Sequence, residues 1–185
     1  MIDEIQADAD ARMGKSIEAL HSSFARIRTG RANPSLLDGI EVSYYGTDTP
    51  LNQVASITVE DARTLAVSPW EKNLIPEIEK AILRSDLGIT PSSNKELIRL
   101  PLPALTEENR RDLARTAKQE AEAARIAIRN IRRDAIHDVR ELAKAKEVAE
   151  DDERRAEEVI QSITDRRIGE VDKTLEGKEA DLMEI

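Results

Sequence analysis

The sequence contains no cysteine and very few aromatic residues. Without cysteine it can form neither a disulfide framework nor a thiolate zinc site. It has one Trp, two Tyr and one Phe among 185 residues, which argues against binding unpaired bases by stacking. No apolar run approaches the roughly 20 residues of a membrane span, and the N-terminus lacks the apolar core of a signal peptide. We therefore expect a cytoplasmic protein with no membrane partner.

Signatures of covalent chemistry are also missing. The sequence has no phosphate-binding glycine loop and no serine-nucleophile motif. His21 is predicted to lie on a helix surface, and His137 follows a run of arginines, so neither is expected to bind a metal. The acidic pair Asp151 and Asp152 fits the solvated start of a helix. We predict no catalytic residues, no metal, no other cofactor and no small-molecule substrate.

Proline is confined to the middle of the chain. All seven prolines lie between Pro34 and Pro103. Runs typical of strands occur in the same region, together with one amphipathic helix near residues 74–86; the runs are 40–46, 54–59, 64–67 and 96–102. This texture predicts a small β/α/β sandwich domain over residues 31–104, inserted into a helical protein.

The few aromatic side chains fall mostly within this predicted insertion. Tyr44 and Tyr45 are expected to divide between its core and its surface. Trp70 is expected to anchor its core, with partner contact as the alternative.

The remaining sequence has apolar residues at helical spacing in three long segments. The first covers residues 2–29 and is expected to end at Gly30. The second runs from Thr106 to about Glu147. The third restarts after an acidic stretch at 150–153, with a predicted seam of Ala156, Val159, Ile160, Ile163, Val171, Leu175 and Leu182. We predict an α+β protein, with an elongated three-helix bundle formed by residues 1–30 and 105–185.

The second helical segment carries a basic stripe beside its apolar seam. The chain has a net charge of −9, yet between Arg125 and Arg133 there are four arginines and no acid. Charges on a long helix are commonly a solvated face supported by acids one turn away. Where no acid is interleaved, the arginines are expected to repel one another unless an anion lies across them. The pattern favours a folded, phosphate-rich RNA, and a helical scaffold that binds an acidic protein is the alternative.

Several motifs resemble the bacterial ribosome recycling factors. The resemblance is collinear, covers essentially the whole chain, and rests on RTGRANPSLLDGIEVSYYGTDTPL at 28–51, VEDARTLAVSPWE at 59–71, SDLGITPSS at 85–93, LPLPALTEE at 100–108, ARIAIRNIRRDA at 124–135 and KEADLMEI at 178–185. It implies a two-domain, L-shaped monomer of roughly tRNA dimensions. It also implies a factor that binds the post-termination ribosome and, with elongation factor G and GTP, promotes subunit separation and release of ribosomes from mRNA.

The resemblance further implies roles for individual residues. Contact with large-subunit rRNA falls on Arg129, Arg132 and Arg133, to which we add Arg125 at the start of the same run. The small domain is expected to meet elongation factor G and to swing about two connections, which are Thr29, Gly30 and Arg31 going out and Pro103, Ala104 and Leu105 coming back. The chain departs from the family pattern at Ile136 and His137, and at Glu71, where Asp is usual after Pro-Trp.

Overall fold

The computed structural model describes residues 1–27 and 29–184. The elements in chain order are α1 (Ile2–Ala25), β1 (Glu41–Tyr44), β2 (Thr47–Pro50), α2 (Leu51–Val54), β3 (Ala55–Asp61), β4 (Thr64–Pro69), α3 (Ile75–Arg84), β5 (Ser92–Ser93), β6 (Ile98–Pro101), α4 (Glu107–Lys144) and α5 (Glu150–Met183). The chain forms two compact units, one of Met1–Arg28 with Glu107–Ile185 and the other of Thr29–Thr106. The predicted α+β class is confirmed.

The helical unit is a three-helix bundle in which α1, α4 and α5 all pack against one another. α4 runs for 38 residues without Gly or Pro, which corresponds to roughly 57 Å of helix. A single apolar core follows the three seams. Its most deeply buried members are Met13, Ala117, Ala121, Ile128, Val139, Ile160, Val171 and Leu182. Each helix thus buries its stripe only because the other two cover it.

Two details of the bundle differ from the sequence prediction. α1 ends at Ala25, well before Gly30, and the Lys178 ammonium donates to the carbonyl of Ile27 at 3.1 Å just beyond the helix. On α5, Val159 is 42% exposed, whereas Thr164 is fully buried. The Thr164 hydroxyl donates to the Ile160 carbonyl at 2.8 Å, so its polar atom has a hydrogen-bond partner inside the core. A prediction that counts only apolar residues does not include Thr164.

A charged contact joins α1 to α5. The Asp10 carboxylate accepts hydrogen bonds from Arg166 Nη2 at 2.7 Å and Arg167 Nε at 2.8 Å. Arg167 also bonds to Glu170 of its own helix at 3.1 Å. Burial by itself raises the pKa of Asp10, but the two arginine hydrogen bonds outweigh it and hold the pKa below its ordinary value.

Asp10→Asn is expected to lower the free energy of unfolding near neutral pH by about 1 kcal/mol, after allowance for solvent screening. The pKa of Asp10 in the folded protein lies below the ordinary value of 3.8. Its ion pairs therefore stabilise the folded state fully at pH values above 3.8, and this contribution disappears as the pH falls through the folded pKa. Urea denaturation of both proteins across this acidic range should therefore show their stabilities converging as the pH decreases. A difference that stays constant with pH would contradict the assignment.

The smaller unit consists of two antiparallel sheets with α3 packed beside them. β1 pairs with β2, and the four-stranded sheet has the order β3-β4-β6-β5. One apolar core joins the elements, and its fully buried members are Val42, Leu65, Val67, Ile78, Ile82, Ile98 and Leu100. The predicted anchoring role of Trp70 is wrong, because its side chain is 67% exposed while smaller aliphatic residues fill the core.

The β1–β2 hairpin replaces the single strand that the sequence predicts over 40–46. The chain reverses at Tyr45 and Gly46, whose φ angles are 49° and 81°, and Tyr44 pairs with Thr47. Two positive φ angles are typical of a type I′ turn, where Asn-Gly is the usual signal. Because Tyr45 and not asparagine precedes Gly46, the sequence did not indicate this turn. Tyr44 is partly buried and Tyr45 is 74% exposed, so the predicted division of the pair is confirmed.

Both chain segments that enter and leave the smaller unit are fixed to the same β3–β4 turn. The Ala32 N–H donates to the Ala62 carbonyl at 2.8 Å, and the Leu102 N–H donates to the Arg63 carbonyl at 2.7 Å. Residues 29–31 and 103–106 lie outside these hydrogen bonds. Gly30 has a φ of +78°, and a Cβ atom added there would lie 3.3 Å from Leu105 Cγ. The outgoing and returning segments therefore touch at this point.

Candidate nucleic-acid interface

The candidate site is the arginine face of α4, defined here as Arg125, Arg129, Arg132 and Arg133. The inward-facing residues of the same stretch of α4 are buried in the bundle core; they are Ala124, Ile128, Ile131 and Ala135. A helix places residues three and four positions apart on one face. The packed seam therefore fixes the direction in which the arginines project.

Arg125 is held by acids on two helices. Its Nε and Nη2 donate to Asp172 Oδ1 of α5 at 3.0 and 2.6 Å, and its Nη1 donates to Glu122 at 3.2 Å. The side chain is only 19% exposed. The hydrogen bond to Asp172 is the main cause that raises the pKa of Arg125 above its ordinary value. Arg125 thus acts as a strut between α4 and α5.

Arg129 contacts the other carboxylate oxygen of Glu122, the acid that also pairs with Arg125. Its Nη1 lies 3.4 Å from Glu122 Oε1, and its side chain is 47% exposed. The expectation that all four arginines lack acidic partners is therefore wrong for Arg125 and Arg129. The acids are Glu122 in the preceding turn of α4 and Asp172 on α5. Both lie outside the acid-free stretch of residues 125–133.

Arg132 is partly buried and oriented by an amide instead of an acid. Its Nη1 donates to Gln161 Oε1 at 3.0 Å, and Gln161 in turn donates to Asp165 at 2.8 Å. Its Nε is buried without a hydrogen-bond partner. The guanidinium is thus held in place, and no carboxylate in the part of the chain that the structure describes pairs with its positive charge. This suits a contact with phosphate.

Arg133 is exposed, and no residue in the described ranges forms a hydrogen bond or ion pair with it. The neighbouring Ile136 is partly buried and packs against the bundle core. Ile136 therefore contributes to packing instead of occupying the arginine face. The outward charge of this surface is concentrated on Arg132 and Arg133.

These differences predict unequal effects on stability within the arginine face. Arg125→Gln is expected to lower the free energy of unfolding by about 1 kcal/mol, because it removes contacts that bridge two helices. Arg133→Gln is expected to change it by less than about 0.5 kcal/mol, because this exposed side chain forms no hydrogen bond or ion pair with any described residue. Urea denaturation measures both values. Equal losses in the two variants would contradict the assignment of Arg125 as a strut.

Sequence reasoning missed the α5 residues that shape the face. All three lie on the next helix, α5: Asp172 and Gln161 are 47 and 29 residues from the arginines they contact, and Asp165 holds Gln161. Their only local signal is the four-residue spacing of Gln161 and Asp165, which does not identify a partner helix. The register between α4 and α5 is needed to find them.

The described residues contain no group of three or more His, Cys, Asp or Glu side chains arranged to hold a metal ion. Among the helices of these residues, none has the length and apolar character needed to span a bilayer.

Comparison with known proteins identifies the relatives of this chain. Residues 20–183 match the family model described as ribosome recycling factor. The ribosome-recycling factor of Saccharophagus degradans is 60% identical over 185 residues, with 100% of both chains covered. That of Nitrosococcus oceani is also 60% identical, over 100% of this chain and 99% of its own.

Solved structures agree with the sequence comparison. A solution structure of a ribosome recycling factor is 37% identical and superposes with a TM-score of 0.76, covering 100% of this chain and 98% of its own. The Thermus thermophilus ribosome recycling factor, bound together with Escherichia coli elongation factor G to the post-termination complex, is 46% identical with a TM-score of 0.64 and full coverage of both chains. With the family model matching most of its length, the chain belongs to the ribosome recycling factor family.

Proposed function

We propose that the protein binds the post-termination ribosome and, with elongation factor G and GTP, promotes subunit separation and release of the ribosome from mRNA. Family membership over the whole chain is the observation that carries this proposal. The relative from Thermus thermophilus is described with elongation factor G on a post-termination complex, which supports the same partners for this chain.

The arginine face is the proposed contact with large-subunit rRNA. Arg132 and Arg133 supply charge without carboxylate partners, and Arg129 adds a half-exposed guanidinium. Arginine matches the two oxygens of a phosphate, and folded RNA is recognised largely through its shape and backbone. Arg125 supports this contact by fixing α4 against α5, so its own share of the phosphate contact is small.

The two connecting segments are the proposed hinge. Residues 29–31 and 103–105 lie between the sheet hydrogen bonds of the smaller unit and the bundle helices. Gly30 can adopt backbone angles that other residues avoid, and Pro103 restricts the returning segment. Motion here lets the bundle stay on rRNA while elongation factor G acts on the smaller unit.

The chemical step belongs to the partner in this proposal. Elongation factor G hydrolyses GTP, and the present chain converts that event into separation of the subunits without a catalytic residue of its own. It acts as a monomer in the cytoplasm, where the ribosomes are.

A polysome-breakdown assay tests the function directly. Purified protein, elongation factor G and GTP are expected to convert polysomes with empty acceptor sites into free ribosomes or subunits. Omission of this protein, or replacement of GTP by a non-hydrolysable analogue, should leave the polysomes intact. Breakdown that is independent of the added protein, or no breakdown in the complete mixture, would contradict the proposal.

A further inference from the structure

Aromatic residues gather around one carboxylate in the smaller unit. The chain has only four aromatic side chains, and Tyr44, Tyr45 and Trp70 all lie beside Glu71. The ring centroids of Tyr44 and Tyr45 are 4.6 Å apart, in an edge-on arrangement at 74°. Tyr44 packs partly against the aliphatic core of this unit, but Tyr45 and Trp70 are exposed, so core packing does not explain the whole cluster.

The carboxylate is fixed by the two tyrosine hydroxyls. Tyr44 donates to Glu71 Oε1 at 3.5 Å, and Tyr45 donates to Oε2 at 3.1 Å. Burial, followed by the nearby Glu71 charge, raises the pKa of Tyr44, so its hydroxyl stays protonated as a donor. Both hydroxyls therefore orient the Glu71 carboxylate from the same side of the hairpin.

An open cavity of about 260 Å³ adjoins this group and is lined in part by Tyr44, Gln53, Trp70, Glu71 and Leu74. Trp70 is 67% exposed, yet its backbone N–H is held by the Val54 carbonyl at 3.0 Å. The indole is thus attached to a fixed backbone at the edge of the cavity. An exposed indole ring beside a carboxylate is a combination that suits a cation.

The backbone at Tyr45 adds a second observation. Its φ of 49° lies in the left-handed region that disfavours side chains other than Gly, Asn and Asp. The hairpin therefore carries an aromatic ring at a position where smaller residues are more stable. Strain of this kind is retained where the surrounding structure uses it, and here it directs the Tyr45 hydroxyl to Glu71.

The local charge balance determines the sign of the ligand. In the described residues no Lys or Arg forms an ion pair with Glu71. The stretch of residues 32–62, which includes the hairpin, has five acids and no Lys or Arg. Lys72 follows Glu71 in the chain but forms no ion pair with it among the described residues. Glu71 is the charged residue that lines the cavity, so a cation would gain both this carboxylate and the Trp70 ring, whereas a phosphate would meet a like charge.

We propose that this cavity binds an arginine or lysine side chain presented by a partner protein. The inference rests on the proposed function in one respect: the cavity would be the contact through which the smaller unit binds a protein during recycling. The positive group approaches Glu71 and lies against Trp70, with Tyr44 and Tyr45 fixing the carboxylate. The Trp70 ring contributes its electron-rich face, and the apolar stem of the bound side chain lies along Leu74.

Fluorescence of Trp70 tests the cavity without any ribosome, because Trp70 is the sole tryptophan. The probes are the peptide amide Gly-Arg-Gly and its neutral isostere Gly-citrulline-Gly, titrated at matched ionic strength into the full-length protein. A saturable change is expected with the arginine peptide only, and Glu71→Gln should abolish it. An equal response to both peptides, no saturable response to either, or an undiminished response in Glu71→Gln would overturn the proposal.

Adenosine monophosphate provides the test for the competing ligand class. Stacking of a base on Trp70 would give a stronger response to the nucleotide than to the arginine peptide, and that result would also overturn the proposal. A weaker response is expected, because the acidic surface repels the phosphate.

Recycling assays then test the role of the cavity. Glu71→Gln and Trp70→Ala are each expected to lower the rate of polysome breakdown about fivefold at limiting elongation factor G, with unchanged binding to large subunits. Leu83→Ala is the matched control, because Leu83 is also exposed, at 61%, in the smaller unit, but does not line this cavity. It should leave the rate unchanged.

The two assays separate the possible failures. Wild-type rates in folded Glu71→Gln and Trp70→Ala, or an equal loss in Leu83→Ala, would overturn the role in recycling. An inactive wild-type protein would contradict the proposed function instead. In that case the peptide titrations still decide whether the cavity binds a cation.

Discussion

Replacing Arg132 and Arg133 together by glutamine is expected to weaken binding to large ribosomal subunits on the order of 100-fold. These two side chains carry the positive charge of the arginine face that no carboxylate in the described residues offsets. Glutamine keeps the aliphatic stem as far as Cδ but ends short of the guanidinium, so the hydrogen bond of Arg132 to Gln161 is lost together with the charge. An unchanged unfolding transition in the double variant then assigns the loss of affinity to the surface and not to packing.

The salt dependence of the affinity gives a second, sharper readout. Each lost phosphate contact should reduce the slope of log affinity against log salt concentration by roughly 0.7 to 0.9, so the double variant should lose about 1.5. Sedimentation of the protein with purified large subunits at several salt concentrations measures both quantities.

A matched control is Lys15→Gln with Lys173→Gln. Both lysines are exposed, and they lie on α1 and α5 instead of α4, so the variant loses the same net charge from other helices. Its affinity should stay close to that of the wild type. Equal weakening in the two double variants would show a general charge effect, and unchanged affinity in a folded Arg132→Gln, Arg133→Gln variant would remove the arginine face as the binding site.

Gly30→Ala is expected to lower the recycling rate roughly tenfold while leaving the affinity for large subunits within about twofold of wild type. The φ of +78° at Gly30 is unfavourable for alanine, and the new Cβ would lie 3.3 Å from Leu105 Cγ. The two connecting segments must then separate or change their backbone angles. Polysome breakdown and subunit binding are measured in parallel on the same preparation.

Two further variants isolate the effect of the connection. Gly39 has a φ of +83° in the same unit, but no atom lies within 4 Å of a Cβ added there, so Gly39→Ala imposes the same backbone strain away from the connecting segments. It should recycle nearly normally. Leu105→Ala added to Gly30→Ala removes the close contact and should recover part of the activity.

The hinge proposal fails if Gly39→Ala is as defective as Gly30→Ala, because the defect would then come from strain anywhere in the unit. It also fails if Gly30→Ala recycles at the wild-type rate with an unchanged unfolding transition. The arginine face and the hinge thus make opposite predictions: changes to the face impair binding first, whereas changes to the connection impair the later step.

The sequence by itself determined the fold class and the family. The long α4 helix followed from 38 residues without Gly or Pro and from apolar residues that recur every three or four positions. The concentration of proline and β-type runs in the middle of the chain indicated a small sheet domain. These features were predictable because helix and strand periodicity are local properties of the sequence.

Only the tertiary structure decided which arginines are paired. Asp172 and Gln161 reach Arg125 and Arg132 from α5, across 47 and 29 residues of sequence, and no local spacing encodes the register between two helices. The arginine face therefore divides into a strut at Arg125 and an outward charge at Arg132 and Arg133.

The same limit applies to the polar and aromatic residues. Thr164 is buried in the bundle because its hydroxyl bonds to the preceding turn, whereas Trp70 is exposed because aliphatic side chains already fill the core of the smaller unit. Hydrophobicity alone would predict that Trp70 is buried and Thr164 is exposed. Burial depends on the shape and polar partners available at each position, and these exist only once the helices and sheets have packed.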